Sequence, residues 1–127
     1  MAAVFDEGSV EFWDGPPVQV AEPGSAYAEE LAAAAERAGT DESIITGAAR
    51  IRGRAVAFIV GEFRFLAGSI GQAAAERIVL AFERATLEGL PLFAAPTSGG
   101  TRMQEGTPAF VGMVKISSAV ADFKAAR

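Results

Sequence analysis

The stretch from Arg54 to Phe63, Arg-Ala-Val-Ala-Phe-Ile-Val-Gly-Glu-Phe, constrains this chain more than any other. It is almost continuously apolar, which suits a β-strand buried on both faces. Its apolar part, Ala55 to Gly61, is far short of the ~20 residues that span a bilayer. The residues before it, Ser43 to Arg52, alternate loosely, and Gly53 stands between the two runs. Two β-type runs around one glycine read as a hairpin. Beyond it, Phe65 to Ser69 reads as a turn. Ser69 is the expected N-cap of a helix running from Ile70 to about Glu88. The apolar stripe of that helix is Ile70, Ala74, Ile78, Phe82 and Ala85, at helical spacing. Glu76 and Glu83 fall on the other side, with Arg77 and Arg84 beside them. Gly89 suits the helix end, and Pro91 prevents continuation. Leu92 to Ala95 follows as a short apolar strand, ended by Pro96 and Thr97-Ser-Gly-Gly100.

The flanks complete the outline. Residues 1–24 hold several Gly and Pro and read as an irregular lead-in, with Phe12 and Trp13 docking on the rest. Ser25 is the expected N-cap of an alanine-rich helix, Ala26 to Ala38, that stops at Gly39. Thr107 and Pro108 form an N-cap and first-turn pair that opens a last helix through Phe110, Val114, Ile116, Val120 and Phe123. The expected order is helix–hairpin–helix–strand–helix. That is an α/β arrangement with one strand–helix–strand crossover.

Composition excludes several chemistries. The chain has 127 residues, and half of them are apolar, so it can bury a core. It contains neither cysteine nor histidine. Thiolate catalysis, disulfides, a Cys/His zinc site and an imidazole base are therefore ruled out, and no metal is expected. The missing cysteines agree with a reducing compartment. Asp6, Glu7 and Glu11 interrupt any signal-peptide pattern, so a cytoplasmic location is expected. A formal net charge of −5 gives no general pull toward nucleic acid or an anionic membrane.

Two glycine-containing turns stand out. Gly68-Ser69 precedes a helix, and Gly99-Gly100 follows a buried strand. Glycine lets a backbone approach a ligand closely. Amides at such turns, helped by a helix N-terminus, can face developing negative charge. Two converging turns would make an oxyanion hole. From pattern alone, each is more often a simple turn. The second lacks the Gly-Lys-Ser/Thr of a P-loop and the third glycine of a dinucleotide fingerprint.

The longer strings carry a resemblance. Phe63-Arg-Phe-Leu-Ala-Gly-Ser-Ile-Gly71, followed by Ala75-Glu-Arg-Ile78, resembles the carboxyltransferase family of biotin-dependent carboxylases. So does Pro91-Leu-Phe-Ala-Ala-Pro-Thr-Ser-Gly-Gly-Thr-Arg-Met-Gln-Glu-Gly106. The family strings are Phe-(Met/Leu)-Gly-Gly-Ser-(Met/Ile)-Gly and Ser-Gly-Gly-Ala-Arg-Met-Gln-Glu. The likeness covers about residues 43–125, with Ala67 and Thr101 as departures and no four-cysteine zinc ribbon.

The resemblance implies a partial crotonase-like (ClpP/crotonase) fold. It implies transfer of a carboxyl group from carboxybiotin to acetyl-CoA or another acyl-CoA, giving malonyl-CoA-type products. Carboxybiotin would come from a biotin carboxyl carrier partner, with a biotin carboxylase subunit alongside. The freed ureido nitrogen would serve as the base, which fits a chain without histidine. The backbone amides of Gly99, Gly100 and Thr101 are the expected oxyanion donors, with Gly68 as a second donor. Arg102 is a candidate contact for the CoA phosphates, with an ion pair to Glu105 as the alternative. Glu105 as a catalytic acid, and Trp13 and Tyr27 as cofactor contacts, are weighed against packing and structural roles.

Two divisions are expected: residues 1–42 as lead-in and helix, and 43–127 as the first part of an N-terminal carboxyltransferase domain. Such a portion would leave the stripe of Ile70, Ile78 and Phe82 partly uncovered. It would then associate as a homo-oligomer or with a complementary carboxyltransferase fragment, and be inactive alone. A biotin-dependent decarboxylase subunit and an inactive interaction module are the competing readings.

Overall fold

The computed structural model describes residues 5–15, 21–62, 64–68, 70–95, 102, 105 and 107–125. Its elements follow the expected order, with one addition. Strand β1 (Glu11–Phe12) comes first, then helix α1 (Ala26–Ala38), β2 (Ile44–Ile51), β3 (Arg54–Gly61), a short 3-10 turn (Leu66–Gly68), α2 (Gln72–Glu88), β4 (Leu92–Ala95) and α3 (Thr107–Ala125).

The hairpin forms because Arg52 and Gly53, at φ 52° and 80°, supply the pair of left-handed residues that a tight two-residue loop needs. Asp6 holds that loop from outside, accepting from the Arg52 and Gly53 amides at 3.0 and 2.7 Å. The lead-in is therefore not wholly irregular. Its Glu11–Phe12 pairs antiparallel with Gly47–Ala48, and Gly47 is required there, because a Cβ would collide with the Glu11 carbonyl and the Phe58 ring.

The sheet order is β1-β2-β3-β4, with β3 and β4 parallel. α2 supplies the crossover between those two strands. Alternation along β2 and β3 sends side chains to two packed layers. Ile44 and Ile59 meet Ile70, Ala74, Ala75, Ile78 and Ala81 of the crossover, and Phe5, Ala49, Val56 and Phe58 form a second cluster. Phe58 is fully buried in the central strand, as the apolar run demands.

Three details depart from the sequence reading. α2 begins at Gln72, and its N-cap position is Gly71 rather than Ser69, which lies outside the described residues. Arg77 is buried rather than placed on a solvated face. Of the stripe expected to stay partly uncovered, Ile70 and Ile78 are buried and Phe82 remains half-buried. Ile70 and Ile78 are 8% and 7% exposed, and the Phe82 and Phe123 rings meet edge-on at 5.5 Å. α3 lies so close to α2 that a Cβ on Gly112 would come within 2.8 Å of the Ala75 methyl. No helix among the described residues is long and apolar enough to cross a membrane.

Candidate functional site

The start of α2 and the turn after β4 are joined by a buried polar cluster. Gly71 has an extended conformation and no side chain, so α2 has no cap of its own. The cap comes from 33 residues further on. Glu105 Oε1 accepts the Gln72 N–H at 2.6 Å. A Cβ on Gly71 would overlap the Glu105 carboxylate, so glycine is what lets the two segments meet. A carboxylate is well placed at a helix N-terminus, where free N–H groups concentrate positive potential.

The other Glu105 oxygen, Oε2, accepts a short hydrogen bond from the Tyr27 hydroxyl of α1 and a 3.2 Å contact from Arg102 Nη1. Arg102 also reaches Glu42, donating from Nη1 at 3.1 Å and from Nη2 to the second oxygen. Its remaining contacts include the Ser43 hydroxyl at 3.3 Å and the Tyr27 hydroxyl at 3.3 Å. The guanidinium lies over the Phe65 ring at 5.5 Å, and the Arg102 amide donates to Ile70 O at 2.8 Å. The acids are as enclosed as the base. Side-chain exposure is 0% for Arg102, 4% for Glu42 and 2% for Glu105.

Two carboxylates and one guanidinium share this space; the positive end of α2 offsets part of the remaining negative charge, and the Tyr27 hydroxyl solvates it with a hydrogen bond. Burial pushes the Tyr27 phenol above its ordinary pKa, and the hydrogen bond to Glu105 adds to the rise. For Arg102, burial works to lower the pKa. The bonds and charge of Glu42 outweigh it, and the net direction is upward.

Each residue singled out in the sequence has a definite status. Gly99, Gly100 and Thr101 lie outside the described residues. Gly68 is buried, at φ 69°, and its N–H donates to Phe65 O at 2.9 Å, so in this conformation the Gly68 amide is not offered to a ligand. Arg102 faces inward. A CoA phosphate could reach it only by displacing Glu42 or Glu105. The ion pair with Glu105 that sequence spacing suggested is present at 3.2 Å. Sequence reading did not find Glu42 or Gly71, and it left Tyr27 as a packing residue. The available signal was an acidic pair, Asp41-Glu42, before an apolar run, and spacing alone does not pair either acid with an arginine some 60 residues away.

A groove of about 540 Å³ lies elsewhere and shares no residue with this cluster. It is lined by Trp13, Leu80, Arg84 and Leu87 among others, with the Arg84 guanidinium 4.4 Å from the centre of the Trp13 ring.

Comparison with known proteins gives the arrangement its context. The carboxyl transferase domain model matches residues 13–125. A Mycobacterium tuberculosis protein named "Probable biotin-dependent acyl-coenzyme A carboxylase beta3 subunit" is 59% identical over 118 residues, covering 93% of this chain and 24% of that protein. The Roseiflexus castenholzii "Acetyl-coenzyme A carboxylase carboxyl transferase subunit beta 2" is 35% identical, covering 98% of this chain and 43% of that one. The chain thus spans about a quarter to under half the length of these relatives. Among solved structures, transcarboxylase 12S with methylmalonyl-coenzyme A bound superposes with a TM-score of 0.73 at 26% identity, over 91% of this chain and 21% of that one. The mixed α/β architecture is that of the crotonase-like carboxyltransferase domains. With the motif strings, the crossover and the matched residues in agreement, the chain belongs to the carboxyl transferase domain family.

Proposed function

We propose that this chain builds the acyl-CoA side of a carboxyltransferase site, in an enzyme that moves a carboxyl group from carboxybiotin to an acyl-CoA. The observation that carries this is the anchoring of the turn after β4. Arg102 and Glu105, at its far end, are locked against the N-terminus of the crossover helix. The oxyanion reading of the Gly99, Gly100 and Thr101 amides draws on that anchoring of their neighbours Arg102 and Glu105, since preorganised donors are what a developing oxyanion requires.

Carboxybiotin, when bound, supplies the transferable carboxyl group, and its freed ureido nitrogen supplies the base. The donor set here fits that division of work. The chain has no histidine, and in the cluster Glu42, Glu105 and Tyr27 are all engaged by other protein groups. None is offered as a general base. What this chain contributes is electrostatic. The amides of the turn hold the thioester oxygen as negative charge builds on it. Acyl-CoA is the substrate class, in keeping with the names of the relatives. The carrier and biotin carboxylase subunits are the corresponding partners, and the cytoplasm is the expected compartment.

The test is a Gly100→Val variant in the assembled carboxylase, assayed over a panel of acyl-CoA thioesters. Misplacing one oxyanion donor lowers kcat by about a hundredfold or more. Lys115→Ala, on the exposed face of α3, leaves it unchanged. A Gly100→Val enzyme with wild-type kcat would remove the turn from the mechanism.

A further inference from the structure

We infer that Tyr27 and Glu42, which precede the matching motifs, are positioning residues for the turn after β4. The inference rests on the oxyanion reading of that turn. Tyr27 is donated by α1 and Glu42 by the residue pair leading into β2. Both act on the two described residues of the turn. Glu42 takes two guanidinium nitrogens of Arg102, and Tyr27 bonds Glu105 while lying 3.3 Å from Arg102. Glu42 is itself held, its carboxylate accepting the Ser43 N–H at 2.7 Å.

Glu105 shows why the phenol matters. Its Oε1 is committed to the Gln72 N–H and its Oε2 to Tyr27 and Arg102. Without the Tyr27 hydroxyl, the direction of Oε2 rests on Arg102 alone, and the carboxylate can rotate about its bond to the helix. Glu105 and Arg102 are three residues apart, and the Glu105 N–H donates to Arg102 O at 3.3 Å. Glu105 and Arg102 are thus coupled through both side chain and backbone, and they are the described residues of the motif on which the oxyanion reading rests. An ångström of misplacement at a reacting centre can cost about a hundredfold in rate. A residue outside the motif can in this way set the rate without touching substrate.

The experiment compares Tyr27→Phe with wild type in the assembled carboxylase. It removes one hydroxyl and keeps the ring. The expected result is a fall in kcat of about tenfold, with KM for acyl-CoA within about twofold and Tm nearly unchanged. Hydrogen–deuterium exchange supplies a readout independent of turnover. The peptide spanning residues 96–106 should exchange faster in the variant, with α3 unaffected. Glu42→Gln should loosen the same peptide, and Glu42→Asp should restore part of its protection. Unchanged kcat together with unchanged exchange would overturn the inference, as would a loss of kcat that merely tracks a fall in Tm. If Gly100→Val is silent while Tyr27→Phe still loosens the peptide, the oxyanion reading fails and the positioning network stands. If Gly100→Val is damaging and Tyr27→Phe is silent in both readouts, the network fails alone.

Discussion

Arg77 and Arg102 are both buried arginines, 7% and 1% exposed, yet they sit in different kinds of surroundings. Around Arg102 the acids are as enclosed as the base. Arg77 instead contacts Asp41 at 2.8 Å and Asp14 at 3.6 Å, and the Asp41 side chain is 54% exposed. It donates to two backbone carbonyls, Ile44 O and Gly15 O, while among the described residues its Nε has no hydrogen-bond partner. Arg77 thus fastens the lead-in and the start of β2 to α2, and water screens part of its charge. Arg102 joins α1, the entry to β2 and, through Glu105, α2 in a network whose charged side chains are almost wholly enclosed, with the half-buried Tyr27 at its edge. A buried charge costs desolvation wherever it sits. Only the closed arrangement converts that cost into a single fixed geometry, and it is placed at the motif turn.

The comparison can be broken most directly at the arginines. Arg102→Met leaves Glu42 and Glu105 buried without their cation, and should cost about 3–5 kcal/mol in urea unfolding. Arg77→Met should cost less, about 1–2 kcal/mol, because Asp41 returns easily to water and the enclosed Asp14 keeps its hydrogen bonds from Thr46. Equal losses would show that closure around Arg102 adds nothing.

Tyr27 sharpens the contrast without a large energy. It is the chain's single tyrosine, so its ionisation can be followed by absorbance alone. Its pKa is raised by burial and then by Glu105. The folded state therefore holds the proton more tightly than the unfolded one. The stability this gives is fully present below the unfolded pKa of about 10 and declines as pH rises beyond it. Tyrosinate absorbance should be absent from the folded chain at about pH 10–11 and should appear on unfolding. A folded chain that ionises near pH 10 would place Tyr27 outside the network.

What the sequence made legible was local. Ala26–Ala38 forms with Ser25 accepting the Ala28 N–H and Gly39 at φ 72°, as propensity and capping dictate. The hairpin around Gly53, the strand Leu92–Ala95 and the end of α2 at Gly89 were equally visible, because each depends on neighbours within a few residues. What escaped was tertiary. β1 is two residues long and exists only because β2 is there to pair with it. Ser69 carried a cap signal that the fold does not use, since a carboxylate 33 residues beyond Gln72 caps the helix instead. Arg77 lies beside Glu76 on the helix surface by periodicity, but the carbonyls of Gly15 and Ile44 draw it inward. The motif string identified the family from residues whose neighbours it could not name.

The long reach of the Arg102 contacts has a consequence for how the chain acquires its site. Bonds from Tyr27 to Glu105, from Arg102 to Tyr27 and from Arg102 to Glu42 span 78, 75 and 60 residues. Closing loops of that size costs configurational entropy before any bond returns energy. The hairpin and the helices can be organised over far shorter spans. The cluster thus depends on α1, the entry to β2 and the start of α2 being in place together. The bonds that hold Arg102 and Glu105 are therefore a property of the assembled chain and not of the motif in which the two residues lie.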